Sequence, residues 1–248
     1  MRSGVTSDWR NVTAYFALTG LLTVPFWIAG GLVAARLMPG LSIAAFAVVV
    51  PTISACIVAA MTGGLSSVRS LFASLRHTSR QMPVVVAVAV GVPLAATFVS
   101  WVLAAPDDRV FVTPLALLAL VPIFLIAAIA EEIGWSAFAT ERLHGQLGAA
   151  AAGLVVGLAW AVWHVPTLIE LGRSAEWMAW WAVWTVATRV IIATLYVRAG
   201  SWIWAPIVLH ATSNLVWQAA PDAFDPRIEG LVIATIALGT ALWSRRTA

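Results

Sequence analysis

The chain has 248 residues, 61% hydrophobic and only 10% charged, with a formal net charge of +3. A soluble domain carries about 25% charged residues, so this composition excludes a soluble globular enzyme and indicates an integral membrane protein. The 14 basic residues are all arginine and sit at the ends of apolar segments, not in one stripe, which argues for topology signals in a lipid bilayer and against a nucleic-acid partner.

A membrane span needs about 20 apolar residues. On that rule eight segments qualify, near residues 12–35, 41–63, 83–105, 111–140, 149–170, 176–198, 201–219 and 228–244. The expected fold is therefore all-α, a polytopic membrane helix bundle of about eight helices, forming one integral membrane domain over 1–248. The first apolar run follows Arg2, Asp8 and Arg10 and is long, which suits a retained span and not a cleaved signal. With the N-terminus in the cytoplasm, the inner segments hold Arg69, Arg76, Arg80, Arg142, Arg198, Arg245 and Arg246 besides Arg2 and Arg10. The outer ones hold only Arg36, Arg109, Arg173 and Arg227. This asymmetry implies cytoplasmic N- and C-termini in a multi-pass cell-membrane protein. The outer turns also carry Asp107, Asp108, Asp222, Asp225 and Glu229.

Cys56, the only cysteine, lies in an apolar segment and offers neither a disulfide nor a thiolate metal site. Between the second and third spans, Val68, Leu71, Phe72 and Leu75 fall at i, i+3, i+4, i+7, with Arg69, Arg76 and Arg80 off that stripe. The spacing predicts a short helix lying on the cytoplasmic leaflet. The tryptophans Trp177, Trp180, Trp181, Trp184, Trp202 and Trp204 read mostly as an interfacial belt. Nothing in the chain fixes an oligomeric state.

Ionisable groups inside such spans carry the functional signal, since each costs roughly 2.5–3.5 kcal/mol to insert. Glu131 and Glu132 end the fourth apolar run, His164 lies in the fifth, Arg189 in the sixth, and His210 with Asn214 in the seventh. Residues four apart share a helix face, which stacks Glu131 with Trp135, Glu132 with Ser136, Trp160 with His164, and His210 with Asn214. Pro166 and Pro206 should kink their helices. Gly153 and Gly157 form a small-xxx-small face that should pack closely on a neighbour and turn His164 into the bundle.

Two carboxylates, two imidazoles and an amide suit acyl hydrolysis. A desolvated carboxylate can take a proton from water, and a histidine can hold that water against it. A second histidine with an amide can stabilise an oxyanion. Glu131, His164 and His210 could instead ligate Zn²⁺, although a compact His-Glu-x-x-His signature is absent. A proton-coupled carrier built on the same cluster is weaker, because no paired half-repeats are evident.

Glu131-Glu132-Ile-Gly-Trp, Trp160-Ala-Val-Trp-His164 and His210-Ala-Thr-Ser-Asn214, in that order, resemble the motifs of the CAAX-protease and bacteriocin-processing (CPBP, abortive-infection) family of intramembrane endopeptidases. The resemblance covers roughly 110–220, a catalytic core of about 111–219. It implies an eight-helix bundle that hydrolyses a peptide bond of a membrane-associated protein or peptide. Glu131 and His164 would activate water, with Glu132 beside them and His210 and Asn214 as the oxyanion site. Members are also described as metalloproteases, so Zn²⁺ is a possible cofactor. The family's motif arginine falls on Ser136, which leaves open a weakened relative acting as a membrane immunity or sequestering protein. Arg189, roughly 13 Å from the cytoplasmic end of its helix at about 1.5 Å per residue, is level with Glu132 and is expected to replace that cation.

Overall fold

In the computed structural model, residues 2–33, 36–38, 41–104 and 112–245 are described. The turn containing Asp107, Asp108 and Arg109, and the terminal Arg246, lie outside them. The helices are α1 (Arg2–Leu32), α2 (Val50–Ala73), α3 (Met82–Ala104), α4 (Pro114–Glu132), α5 (Glu141–Leu147), α6 (Ala149–Glu170), α7 (Ala175–Arg198), α8 (Trp204–Ala219) and α9 (Pro226–Arg245). A two-stranded antiparallel ribbon, β1 (Arg36–Met38) with β2 (Leu41–Ser42), follows α1. The architecture is the all-α polytopic bundle that hydropathy implied. Among the described residues, six segments are long and apolar enough to cross a membrane: Asp8–Leu32, Ile43–Arg76, Met82–Ala104, Leu115–Leu147, Ala149–Glu170 and Ala175–Arg198. The remaining two expected spans fall on α8 and α9, of 16 and 20 residues.

α7 is the central helix. It packs along α6 on one side and α9 on another, while α8 packs on α3 and α4. The α6–α7 contact is set by the two glycines. A Cβ at Gly153 would lie 2.7 Å from Arg189 O and Val190 Cα, and one at Gly157 would lie 2.9 Å from Val186 Cα. Backbones this close leave no room for a side chain, as expected at membrane helix contacts made by small residues. Gly153→Leu should therefore force α6 off α7 and destabilise the bundle by about 1–3 kcal/mol or more. Thermal unfolding in nanodiscs checks this, and an unchanged midpoint would contradict the contact.

Three expectations meet the structure differently. First, the short helix expected over the basic stripe is present as the second limb of α2, set off by a break at Gly64 (φ 67°, ψ −166°), a conformation that glycine tolerates, and it ends at Ala73. Beyond the break, Leu71 is buried and Leu75 O accepts the Trp204 indole N–H at 2.9 Å, whereas Phe72, Arg69, Arg76 and Arg80 are exposed. Second, Pro206 produces no kink. It lies in the first turn of α8, where its missing N–H would have had no intrahelical partner. Third, Trp181, Trp184 and Trp202 are buried against other helices and do not form an exposed belt.

Glu229 is likewise misplaced by sequence reasoning. It is buried at the start of α9, where its Oε1 accepts the Thr97 hydroxyl of α3 at 2.8 Å. The turn before it is capped by Asp225, whose Oδ1 accepts the Arg227 backbone N–H at 2.8 Å, with Pro226 at the first helical position. Hydrogen bonds from Arg227 hold the Asp225 carboxyl below its usual range. The depressed value means that this cap stabilises above the ordinary aspartate range and weakens as pH falls through the lowered value. Asp225→Ala should cost about 0.5–2 kcal/mol at neutral pH and much less in acid. Unfolding midpoints at the two pH values check it.

Candidate active site

At the end of α4 the backbone changes register: Ile133–Thr140 is a π-helix leading into α5. Such bulges concentrate at functional sites because they re-aim side chains. Two threonine hydroxyls satisfy carbonyls around it, Thr52 on Ala130 O at 2.5 Å and Thr140 on Trp135 O at 2.9 Å. Gly134 lets α2 cross directly on the bulge, since a Cβ there would lie 2.5 Å from Pro51 O.

Both carboxylates are buried, Glu131 at 4% exposure and Glu132 at 0%, so each needs partners. Glu131 Oε2 accepts two indole N–H groups, from Trp135 at 3.2 Å and Trp160 at 3.0 Å. Its Oε1 lies 4.0 Å from His210 Nε2. Glu132 is held by three donors. Arg189 Nη1 is 2.8 Å from Oε1 and 2.9 Å from Oε2, His210 Nδ1 is 2.8 Å from Oε1, and the Ser136 hydroxyl donates to Oε2. An ionised carboxylate only accepts, so Nδ1 of His210 is the protonated nitrogen, leaving Nε2 on the Glu131 side. The expected pairing of Arg189 with Glu132 is thus present, and Arg189 is itself only 1% exposed.

His164 stands outside this carboxylate network. It is half-buried, and its Nδ1 donates to Trp160 O at 2.8 Å, which leaves Nε2 of the neutral ring as an acceptor. Its ring packs on Trp163 at 4.7 Å, Trp160 at 5.0 Å and Trp181 at 5.2 Å between centroids. His210 packs on the same Trp160 ring at 5.1 Å. Asn214, one turn after His210 on α8, is half-buried. The α4 end, α6 and α8 therefore come together through Glu131, Glu132, Trp160, His164 and His210.

Among the described residues no three His, Cys, Asp or Glu side chains converge to hold a metal ion. The Nδ1 bonds of both histidines leave Nε2, the other ring nitrogen, free to ligate or to accept.

Residues 113–216 match the family model described as Rce1-like, type II CAAX prenyl endopeptidase Rce1-like. This segment is similar to that CAAX endopeptidase family over less than half of the chain. No curated protein matches the chain. The match ties the segment that holds the buried carboxylates to a family of endopeptidases. The matched segment begins just before α4 and ends in α8, so it contains the carboxylates, both site histidines and Arg189. α1 and α2 lie outside it but still wall the site, because Tyr15 packs on Trp135 at 5.6 Å and on Phe138 at 5.1 Å.

Sequence reasoning did not foresee what the aromatics do here. Trp135 and Trp160 are the hydrogen-bond donors that fix Glu131, and Trp181 is a wall for His164 rather than part of an exposed belt. The i, i+4 spacing of Glu131 with Trp135 and of Glu132 with Ser136 was the available signal. His77 is exposed, whereas His144 is half-buried on α5, with Nε2 3.6 Å from Glu141 Oε2.

Proposed function

We propose that the chain is an intramembrane endopeptidase in which Glu131 activates the water that attacks the scissile carbonyl. The observation that carries this reading is the state of the Glu131 carboxylate. Two indoles saturate Oε2, while Oε1 has no hydrogen-bond donor among the described residues and lies 4.0 Å from an imidazole nitrogen. A water bound at that oxygen donates one hydrogen to it and lies beside His210 Nε2. As the water oxygen bonds to the carbonyl carbon, Glu131 takes its proton. Asn214 and the doubly protonated His210 donate to the resulting oxyanion, and Glu131 returns the proton to the amide nitrogen as the C–N bond breaks. His164, with a bare Nε2, takes a hydrogen of the water or of the incoming backbone. Glu132 holds the Nδ1–H of His210 and so aims its Nε2.

A specific observation favours one variation. His210, not His164, is the imidazole beside Glu131 and bonded to Glu132. In that assignment His210 orients the water and His164 with Asn214 serves the oxyanion. The two differ in their expected pH response: a histidine that accepts from water must be neutral, whereas one that donates through Nε2 while Nδ1 is engaged must be protonated.

The arginine asymmetry supports cytoplasmic termini in the cell membrane. Substrate would approach from that side or laterally between helices. The test is hydrolysis of a peptide panel by purified protein in nanodiscs, with and without a chelator, beside His164→Ala and His210→Ala. Cleavage by the wild type that survives chelation and falls in both variants supports the reading. A panel left uncut by well-folded wild type overturns it, and loss on chelation replaces the glutamate mechanism with a metal-dependent one.

A further inference from the structure

We propose that Arg189 is a positioning residue of this site: a cation delivered from α7 that sets the charge and orientation of the Glu132–His210 pair, a task the carboxylates' own helix leaves undone by placing Ser136 there. The proposal rests on the peptidase reading above for its kinetic test but on packing for its origin.

A serine one turn beyond Glu132 has a hydroxyl to donate but no charge, and a carboxylate that is 0% exposed needs charge compensation. Arg189 supplies it with one nitrogen shared between both carboxylate oxygens, at 2.8 and 2.9 Å. Its backbone is seated for this by α6. A Cβ at Gly153 would lie 2.7 Å from Arg189 O, and one at Gly157 would lie 3.1 Å from Arg189 Cβ. The two-glycine face is therefore not a general helix contact, because it brings α7 inward at the residue that carries the cation.

From that seat Arg189 reaches both halves of the site. It meets Glu132 Oε1, the same oxygen to which His210 Nδ1 donates. Its guanidinium carbon also lies 3.9 Å from the centre of the Trp160 ring and 6.0 Å from that of Trp135, the two indoles that hold Glu131. A cation over an aromatic face is attracted to it and pins the ring. The charged groups facing His210 are Glu132, Glu131 and Arg189. Arg189 and His210 Nδ1 share that one carboxylate oxygen, so the guanidinium fixes where the acceptor of the Nδ1 proton stands. Its Nε and Nη2 have no hydrogen-bond partner among the described residues, so the contacts that fasten the guanidinium are those to Glu132 and the indoles.

The test compares Arg189→Met, Arg189→Lys and the double variant Ser136→Arg/Arg189→Met with wild type in nanodiscs. It reads kcat, KM and, by histidine ¹⁵N NMR, the chemical shifts of the two His210 ring nitrogens. In Arg189→Met, kcat should fall roughly 100-fold, the cost of misplacing a reacting group by about an ångström, with little change in KM. The His210 ring shifts should lose the pattern of an Nδ1–H held on a fixed carboxylate. Ser136→Arg should restore a large part of the lost kcat and return the ring shifts towards the wild-type pattern, since it puts a cation beside the same carboxylate. If Arg189→Met does not fold, Arg189→Lys keeps the charge but not the planar guanidinium, and should show a reduced kcat with altered ring shifts. A folded Arg189 variant with wild-type kcat and unchanged His210 ring shifts overturns the proposal, as does a folded double variant that recovers neither. If wild type itself cleaves nothing, the peptidase reading fails, and the His210 ring shifts still decide the role of Arg189.

Discussion

Glu131→Gln is expected to lower peptide hydrolysis by about 10²–10⁴-fold, the range for losing a general base, while leaving the bundle folded. The amide oxygen of glutamine can still accept the Trp135 and Trp160 indoles that hold Glu131 Oε2 at 3.2 and 3.0 Å, so local packing survives. What is lost is the basicity of Oε1, the oxygen near His210. Turnover measured in nanodiscs, with thermal unfolding of the same samples, separates the two effects. A folded variant within about threefold of wild type would show that Glu131 is not the base, since a base contributes at least about 10²-fold. That result would shift weight to the non-catalytic reading raised by Ser136.

Glu132→Ala is expected to have the larger effect on stability. It leaves the Arg189 guanidinium, 1% exposed, without its carboxylate. Breaking a buried ion pair from one side costs about 3–5 kcal/mol, because the remaining charge is stranded. Glu132→Ala/Arg189→Met should recover part of that stability, since no charge is left stranded, less the cost of the cavity that Ala leaves. It should not recover activity, because His210 would have lost the acceptor at 2.8 Å that fixes its Nδ1 proton. Unfolding midpoints across the four members of this double-mutant cycle check the coupling. Additive losses would mean that the two charges do not depend on each other.

Much of this molecule was legible because a bilayer punishes polarity. The composition named the class, and runs of about 20 apolar residues located the helices. The expense of burying Glu131, Glu132, His164, Arg189 and His210 singled those residues out. The Gly153–Gly157 spacing was readable for the same reason: in lipid, close helix packing depends on small residues. Pairing Arg189 with Glu132 needed only two estimates of depth along a helix and the rule that a buried charge seeks its opposite.

Other features were not legible, because they depend on backbone register or on where two helices cross. The π-helix over Ile133–Thr140 has no hydropathy signature, and its carbonyls are satisfied by Thr52 from α2 and by Thr140. The tryptophans read as an interfacial belt because an amphipathic ring suits that zone. Only the crossing of α6, α7 and the α4 end turns Trp160 and Trp135 into donors for Glu131 and Trp181 into a wall for His164. Glu229 read as part of an acidic outer turn until the packing of α9 on α3 buried it against Thr97. The sequence by itself determined the membrane class, the helices and the identity of the polar residues, since these follow from the cost of taking each residue out of water. The tertiary structure alone decided which nitrogen meets which oxygen, that His210 and not His164 stands beside Glu131, and that the cation comes from α7. Those outcomes turn on differences of an ångström or two between packed helices, and spacing along the chain does not encode them.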